Sequence, residues 1–158
     1  MSKITPCLWF DGTAEEAARF YVSLLPDSRI DSVLPYTVET PSGSPGDTML
    51  VTFTLAGQSW LALNGGPHFQ FSPAVSFIID CADQTEVDRL WDALSEGGSP
   101  GQCGWLTDRW GVSWQIVPAV VPRVMQDPDP EKVRRVTATI MEMTKLDVAA
   151  IEKAYAGA

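Results

Sequence analysis

The sequence is short of the side chains that hold metal ions or build disulfides. It has one histidine, His68, and three cysteines, Cys7, Cys81 and Cys103, which are far apart and form no CxxC pair. An odd number of cysteines at such spacing predicts neither a disulfide framework nor a structural zinc site. A reducing cytoplasm is the compartment that this cysteine usage favours.

Positive charge is also scarce. The chain has 11 Lys and Arg against 20 Asp and Glu, a net charge of −9. Nucleic acids and anionic membranes would repel such a surface. No apolar run approaches the ~20 residues that a membrane helix needs, and the N-terminal residues lack the apolar core of a signal peptide. We therefore expect a soluble cytoplasmic protein with neither a nucleic-acid partner nor a membrane partner.

The first half of the chain has one helix among several strands. Its 158 residues suit one domain or two fused half-domains. A short apolar strand ends at Phe10, and Thr13 and Glu16 have the spacing of a capping box that starts a helix. Alternating apolar residues after that helix predict three further strands, which form a meander.

The second half repeats this order with shorter middle strands. A strand over 74–80 leads to Asp83 and Glu86, a second helix start with the same spacing. The turn Asp108–Gly111 precedes a last strand, which Pro118 closes. Each half therefore reads as βαβββ, and the second has lost residues mainly from its middle strands.

The C-terminal part differs from both halves. The segment DPDP at 127–130 is a helix-start signal, and Val133, Val136, Ile140 and Met143 follow at helical spacing. A second short helix is predicted to begin near Asp147. We expect this tail to pack on its own sheet or on a second subunit.

Several local strings resemble one known family. They are PCLWFDG at 6–12, LALNGGPHF at 61–69, QCGW at 102–105 and DRWGVSWQIVP at 108–118. Together with the tandem βαβββ order they are similar to the PhnB-like branch of the vicinal oxygen chelate superfamily, which includes glyoxalase I, bleomycin-resistance proteins and extradiol dioxygenases. Members of this branch often carry the name demethylubiquinone 3-methyltransferase. The resemblance covers nearly the whole chain, the DPDP tail included.

This resemblance implies an α+β fold in which tandem βαβββ modules form an open eight-stranded, cup-shaped sheet. It places the paired modules at about 1–66 and 73–118, within one domain over 1–121, and a helical tail at 122–158. It also implies a homodimer.

The superfamily holds a divalent metal with His and Glu on the first and last strands of its modules. The matching positions in this sequence are Thr5 or Pro6, Pro73 or Ala74, Leu63-Asn64, and Gln115. Amide oxygens are weak ligands for transition metals. We therefore expect no metal and no other cofactor.

Two residues are candidates for catalysis. His68 follows a strand end and could act as a general base near neutral pH, or it could order the loop by hydrogen bonding. Cys103 could be a nucleophile, or a small buried apolar residue. Both alternatives stay open for each residue.

Six tryptophans suggest an aromatic-lined pocket. If Trp114 faces the helices, Ser113 and Gln115 face the cup, where they could orient a small ligand. The candidate ligand-binding residues are Trp9, Asn64, Trp105, Trp110, Ser113 and Gln115. The alternative is that all of them belong to the core.

These observations predict a metal-free protein that binds a small apolar or aromatic molecule in the cup. One alternative is an enzyme acting on a quinone-like substrate, and another is a metal-dependent lyase or dioxygenase. A further one is an interaction module whose tail binds a protein. A Rossmann-type methyltransferase conflicts with the order of elements, because Gly65-Gly66 leads into a strand and not into a helix.

Overall fold

A computed structural model describes residues 2–158, which form two units that divide between Phe71 and Ser72. The first unit contains β1 (Cys7–Phe10), α1 (Ala14–Leu24), β2 (Arg29–Pro35), β3 (Thr48–Leu55) and β4 (Gln58–Asn64). The second contains β5 (Ser76–Cys81), α2 (Gln84–Ser95), β6 (Ser99–Pro100), β7 (Trp105–Thr107) and β8 (Ser113–Pro118). Three helices follow: α3 (Val120–Met125), α4 (Pro130–Met141) and α5 (Val148–Ala156).

The two sheets share one topology. Their strand orders are β1-β4-β3-β2 and β5-β8-β7-β6, and in each the first and last strands of the module pair in parallel while the other neighbours are antiparallel. This confirms the predicted α+β fold of two βαβββ modules with C-terminal helices, its eight strands lying in two four-stranded sheets.

The middle strands differ greatly in length between the modules. Strands β2 and β3 have 7 and 8 residues, whereas β6 and β7 have 2 and 3. The loss of residues predicted for the second module is therefore confirmed.

In the first unit, α1 packs on one side of its sheet. Small buried residues on the helix, Ala14, Ala17 and Ala18, let its backbone approach the strands closely. The strands contribute alternate apolar residues to this core: Leu8, Phe10, Val51, Phe53 and Ala62. In the second unit, α2 supplies Val87, Leu90, Trp91 and Leu94.

The two helix starts differ from each other. Asp83 caps α2 as predicted, since its carboxylate accepts a hydrogen bond from the Glu86 backbone N–H at 3.0 Å. Thr13 precedes α1 but makes no side-chain capping bond. The N–H of Ala14, in the first turn of the helix, instead donates to Oδ1 of Asn64 at 2.9 Å. The capping box predicted at Thr13 and Glu16 was therefore wrong.

The tail has a core of its own. Buried Val120, Val124, Val136, Leu146 and Ile151 join α3, α4 and α5. Asp129 and Asp147 cap α4 and α5 with their side chains, so both predicted helix starts are confirmed, whereas α3 was not predicted. Within residues 2–158, no helix is both long and apolar enough to cross a bilayer.

Candidate functional site

Three of the predicted ligand-binding residues lie on one face of the second sheet. Strand register places Trp105 beside Gln115 and Thr107 beside Ser113. It also places Ser76 and Ile78 of β5 beside Ser113 and Gln115 of β8. We call these six residues the open face.

The other side of the same sheet packs on α2. Buried Leu106, Trp114 and Ile116 alternate with the residues of the open face, and α2 contacts both β7 and β8. Trp114 is thus on the helix side, as the sequence-based interpretation of Ser113 and Gln115 required.

The turn before β8 fixes Trp114. Oδ1 of buried Asp108 accepts hydrogen bonds from the backbone N–H groups of Trp110 and Val112, at 2.9 and 3.0 Å. Its Oδ2 accepts from Nε1 of Trp114 at 2.9 Å. Because the indole is held on the helix side, Ser113 and Gln115 are directed to the open face.

The open face has a defined polar pair. Nε2 of Gln115 donates a hydrogen bond to Oγ of Ser76 at 2.9 Å. Ser113 is buried, whereas Ile78 is 58% exposed and Trp105 and Gln115 are half-buried. Ser76, Thr107 and Ile78 were not predicted from the sequence, because alternation with buried neighbours does not reveal the register of their strands against β8.

Trp9 lies in the first unit and packs on a glycine loop. Its Nε1 donates to the carbonyl oxygen of Gly66 at 2.9 Å, and its ring contacts Phe69 edge-on with centroids 5.0 Å apart. A Cβ on Gly65 would lie 2.3 Å from the indole. The Gly65-Gly66 pair therefore admits the Trp9 ring, and no helix follows it before β5.

Asn64 uses its carboxamide within the protein. In addition to accepting from Ala14, it donates from Nδ2 to the carbonyl oxygen of Thr48 at 2.9 Å. It is 6% exposed. These contacts give Asn64 a structural role in the first unit.

Asn64 also borders a small polar cavity of about 270 Å³. Its other lining residues, which the sequence analysis did not identify, are Gly12, Glu15, Ser42, Asp47 and Thr48. A hydrogen bond from Arg19 lowers the pKa of the Glu15 carboxyl, so this group is anionic at neutral pH.

His68 is exposed, next to exposed Phe69. Among the described residues its imidazole has no hydrogen-bond partner. The hydrogen bond that would order the loop is therefore not seen, and no neighbouring group positions the imidazole as a general base. Its role as a catalytic residue stays a prediction.

Cys103 lies against the tail. Its backbone N–H donates to the Met143 carbonyl at 2.8 Å, and its Sγ lies 3.8 Å from Sδ of Met141. Its φ of 59° is in the left-handed region. These contacts place Cys103 against the tail, and its role as a catalytic residue stays a prediction.

The other two thiols have raised pKa values. Burial is the cause for Cys7, and burial together with Glu86 and Asp80 raises the pKa of Cys81 to about 12. Both are therefore thiols at neutral pH.

Trp110 is separate from the open face. It lies in the Asp108–Gly111 turn, and the Arg109 guanidinium lies 5.3 Å from the centroid of its ring. This cation–π contact occupies one face of the indole.

The donor set does not fit the superfamily's metal. Within residues 2–158 no three His, Cys, Asp or Glu side chains are grouped so that they could hold an ion. At the matching positions, Oδ1 of Asn64 already accepts from Ala14, and Gln115 offers only an amide.

Comparisons with known proteins agree with this topology. Residues 2–117 match the family described as 3-demethylubiquinone-9 3-methyltransferase. A putative 3-demethylubiquinone-9 3-methyltransferase, PhnB protein, from Bacillus cereus is 35% identical, with a TM-score of 0.68 over 75% of this chain and 100% of its own.

Two further solved structures show the same fold. Protein PA1353 from Pseudomonas aeruginosa is 24% identical, with a TM-score of 0.62 over 75% of this chain and 98% of its own. The fosfomycin resistance protein FosX from Listeria monocytogenes is 12% identical, with a TM-score of 0.56 over 80% and 98%. No curated protein matches the chain.

The family match has a clear limit. It ends at Val117, just before α3, and the Bacillus cereus chain is covered completely by 75% of this one. The expectation that the match includes the DPDP tail is therefore not supported. Through its two modules, the chain belongs to the 3-demethylubiquinone-9 3-methyltransferase (PhnB-like) family.

Proposed function

We propose that the protein binds a small, uncharged aromatic molecule on the open face of its second sheet, without a metal ion. The observation that carries the proposal is the chemistry of this face. Its six residues offer one indole, one carboxamide, three hydroxyls and one exposed aliphatic side chain, and none of them is ionisable in the neutral pH range.

Each group has a definite use. The half-buried Trp105 provides a flat apolar surface on which an aromatic ring can stack. Gln115 lies beside it in the register, and its amide can both donate to and accept from a polar substituent. The hydrogen bond to Ser76 uses one donor hydrogen of the amide and fixes its position.

The charge of the protein favours a neutral ligand. An anion would meet a chain of net charge −9 and no cationic side chain on the open face. A cation would find no carboxylate among these six residues. Since a charged group loses hydration when it is buried without a partner, an uncharged ligand is preferred.

The methyltransferase name of the family does not define a methyl-donor site in this chain. Dinucleotide and related loops begin a helix directly after a strand, where the helix N-terminus receives the ligand. Here Gly65 and Gly66 receive the ring of Trp9. For the enzymatic alternative, His68 is exposed and the Cys103 sulfur lies 3.8 Å from Sδ of Met141, so within residues 2–158 neither side chain is seen paired with a carboxylate or a second base.

The proposal can be tested with two probes of the same shape. We expect 2-naphthamide, which is neutral, to bind more tightly than 2-naphthoate, which is anionic, in isothermal titration calorimetry. Gln115→Leu should weaken binding of the amide about 5- to 10-fold, equivalent to about 1 kcal/mol for one hydrogen bond. Trp105→Ala should weaken both probes.

Gln102→Leu is the matched control, because Gln102 is exposed and lies outside the open face. It should leave both affinities unchanged. Tighter binding of 2-naphthoate than of 2-naphthamide would contradict the proposal. So would an affinity for 2-naphthamide that is the same in Gln115→Leu, Trp105→Ala and Gln102→Leu.

A further inference from the structure

The open face consists of two rows of side chains that cross its three strands. One row has an amide between two apolar side chains: Trp105, Gln115 and Ile78. The other row contains only hydroxyl groups: Thr107, Ser113 and Ser76. Adjacent strands lie about 4.8 Å apart, and residues two apart on one strand lie about 6.6 Å apart. A ligand of one or two fused rings can therefore lie on the apolar row and place a polar substituent at the hydroxyl row.

Gln115 connects the two rows. It belongs to the apolar row, where it pairs with Ile78, but its Nε2 donates to Oγ of Ser76, two positions before Ile78 on β5. The terminal torsion of a glutamine side chain is broad and nearly two-fold, so the covalent structure alone does not fix which end of the amide faces a ligand. In the structure Ser76 holds the nitrogen, and Oε1 has no hydrogen-bond partner within residues 2–158.

This pair offers one acceptor and two donors to a ligand. The acceptor is Oε1 of Gln115, and the donors are the second hydrogen of its Nε2 and the proton of the Ser76 hydroxyl. Both side chains are half-buried, so a ligand that covers them displaces the water around these atoms. A polar atom that loses water without gaining a new partner weakens binding. A well-matched ligand must therefore both donate to Oε1 and accept a hydrogen bond.

The other two hydroxyls of the row are less suited to this role. Ser113 is only 3% exposed, so a ligand has little access to it. Thr107 is on β7, on the opposite side of β8 from Ser76, and within residues 2–158 it makes no hydrogen bond to Gln115. Ser76 is therefore the hydroxyl that acts together with the amide.

We propose that Ser76 determines the ligand specificity of the open face, and that the ligand is a phenol; this inference rests on the proposed binding at that face. A phenolic hydroxyl can donate to Oε1 of Gln115 and accept from the Ser76 hydroxyl at the same time. A quinone carbonyl or an aryl ether only accepts, so it would leave Oε1 dehydrated and unpaired. With a pKa of about 10, a phenol is uncharged at neutral pH, as the open face requires.

Two neutral probes with one ring system test the preference. They are 2-naphthol, which donates and accepts, and 2-methoxynaphthalene, which only accepts. A purely apolar surface would favour the ether, because it has one more methyl group to bury. We expect wild-type protein instead to bind 2-naphthol about 5- to 10-fold more tightly in isothermal titration calorimetry, the effect of one hydrogen bond.

Variants of Ser76 test its role. Ser76→Ala removes one donor and leaves the amide free to turn its N–H groups toward the ligand, so the preference for 2-naphthol should fall to about one-fold or reverse. Ser76→Thr keeps the hydroxyl on a residue that suits a strand, and it should keep the preference. Ser23→Ala removes an exposed hydroxyl from α1 and is the matched control, which should behave as the wild type does. Circular dichroism checks that each variant is folded.

The ratio of the two affinities separates specificity from binding. If both probes bind wild-type protein equally, or if Ser76→Ala weakens both by the same factor, the role of Ser76 is overturned while binding at the open face stands. If neither probe binds, the proposed function fails and this inference fails with it. A preference for 2-naphthol that is lost in Ser76→Ala and kept in Ser76→Thr would support the inference.

Discussion

At the scale of single residues, the carboxamide of Asn64 links three segments of the first module. It accepts from the N–H of Ala14 at the start of α1 and donates to the carbonyl of Thr48 at the start of β3. The backbone carbonyl of Asn64 accepts from the hydroxyl of Tyr36. One buried amide thereby satisfies a helix end that would otherwise lack a partner.

Asn64→Ala should reduce the free energy of unfolding by about 2 kcal/mol, because it leaves the buried N–H of Ala14 and the partly buried carbonyl of Thr48 without their partner. Chemical denaturation monitored by circular dichroism measures this change. The structure attributes the capping of α1 to Asn64, so Thr13→Ala should cost less than about 0.5 kcal/mol. If Thr13→Ala costs as much as Asn64→Ala, this assignment is wrong.

The two helix starts show what local sequence can predict. Asp83 and Glu86 are neighbours in the chain, and their spacing alone identified the cap of α2. Thr13 and Glu16 have the same spacing, but the group that caps α1 is fifty residues further along the chain. A pattern confined to four residues cannot detect a partner supplied by another strand.

A second residue-scale prediction concerns Asp108. Its carboxylate accepts from two backbone N–H groups and from the Trp114 indole. Asp108→Ala should destabilise the protein by about 3 kcal/mol or more, since it removes a buried acceptor from three donors. Denaturant unfolding checks the stability.

Asp108→Asn is the matched variant. It keeps one acceptor oxygen and should cost less than the alanine substitution. An equal cost for both would show that the charge matters more than the number of acceptors.

At the scale of elements, the tail is attached to the second module by side chains of α2. Gln84 donates to the carbonyl of Leu146 at 3.1 Å and accepts from the N–H of Val148 at 2.7 Å. Lys145 pairs with Asp88 at 2.8 Å. Leu146 packs so closely on Gly104 that a Cβ there would lie 3.0 Å from its side chain. The helical tail is therefore part of the second unit.

Gln84→Ala should loosen this attachment and cost about 1 to 2 kcal/mol, because the Leu146 carbonyl and the Val148 N–H both lose their hydrogen-bond partner. Hydrogen exchange should be faster at Val148 and through α5 while the first module is unaffected. Thr85→Ala, at the exposed next position, is the control. Faster exchange spread over both units would contradict a local role for Gln84.

The tail should also lose stability in acid. The Tyr155 hydroxyl donates to Asp127 and lowers the pKa of that carboxyl. A carboxyl whose pKa is lower in the folded state contributes stability above its unfolded pKa of about 4, and this contribution is lost as pH falls through the folded value. Wild type should therefore exceed Asp127→Asn in melting temperature at neutral pH.

The same hydrogen bond raises the pKa of the Tyr155 hydroxyl. The stability that Tyr155 contributes is therefore fully present below its unfolded pKa of about 10, and it is lost as pH rises through its folded pKa. Thermal unfolding of both proteins from about pH 2.5 to about pH 7 tests the acid side. A difference that grows toward low pH would contradict the assigned sign.

The tail also marks a limit of sequence reasoning. Asp129 with Pro130 predicted the start of α4, and Asp147 predicted the start of α5. Both helices begin at these residues. Helix α3 follows Ala119, which makes no side-chain capping bond, and it contains Pro122. Val120 and Val124 of this helix pack in the tail core. Neighbouring residues in the sequence do not predict such packing, because it involves distant parts of the chain.

At the scale of the molecule, two modules of one topology differ in what they expose. The first has long middle strands and a Trp9 ring packed on Gly65. The second has short middle strands and the open face of Trp105, Ser113 and Gln115. Strand alternation predicted that Ser113 and Gln115 share a face, whereas the places of Trp105 and Ser76 beside them emerged only from the pairing of β8 with β7 and β5.

We propose that the protein binds a neutral organic molecule without a metal ion. Native mass spectrometry of protein purified without added metal, with elemental analysis of the same sample, tests it most directly. We predict metal-free protein that carries an uncharged organic molecule, and loss of that molecule in Trp105→Ala. A tightly bound metal ion at about one per chain would contradict metal-free binding, because residues 2–158 show no group of three His, Cys, Asp or Glu side chains that could hold it.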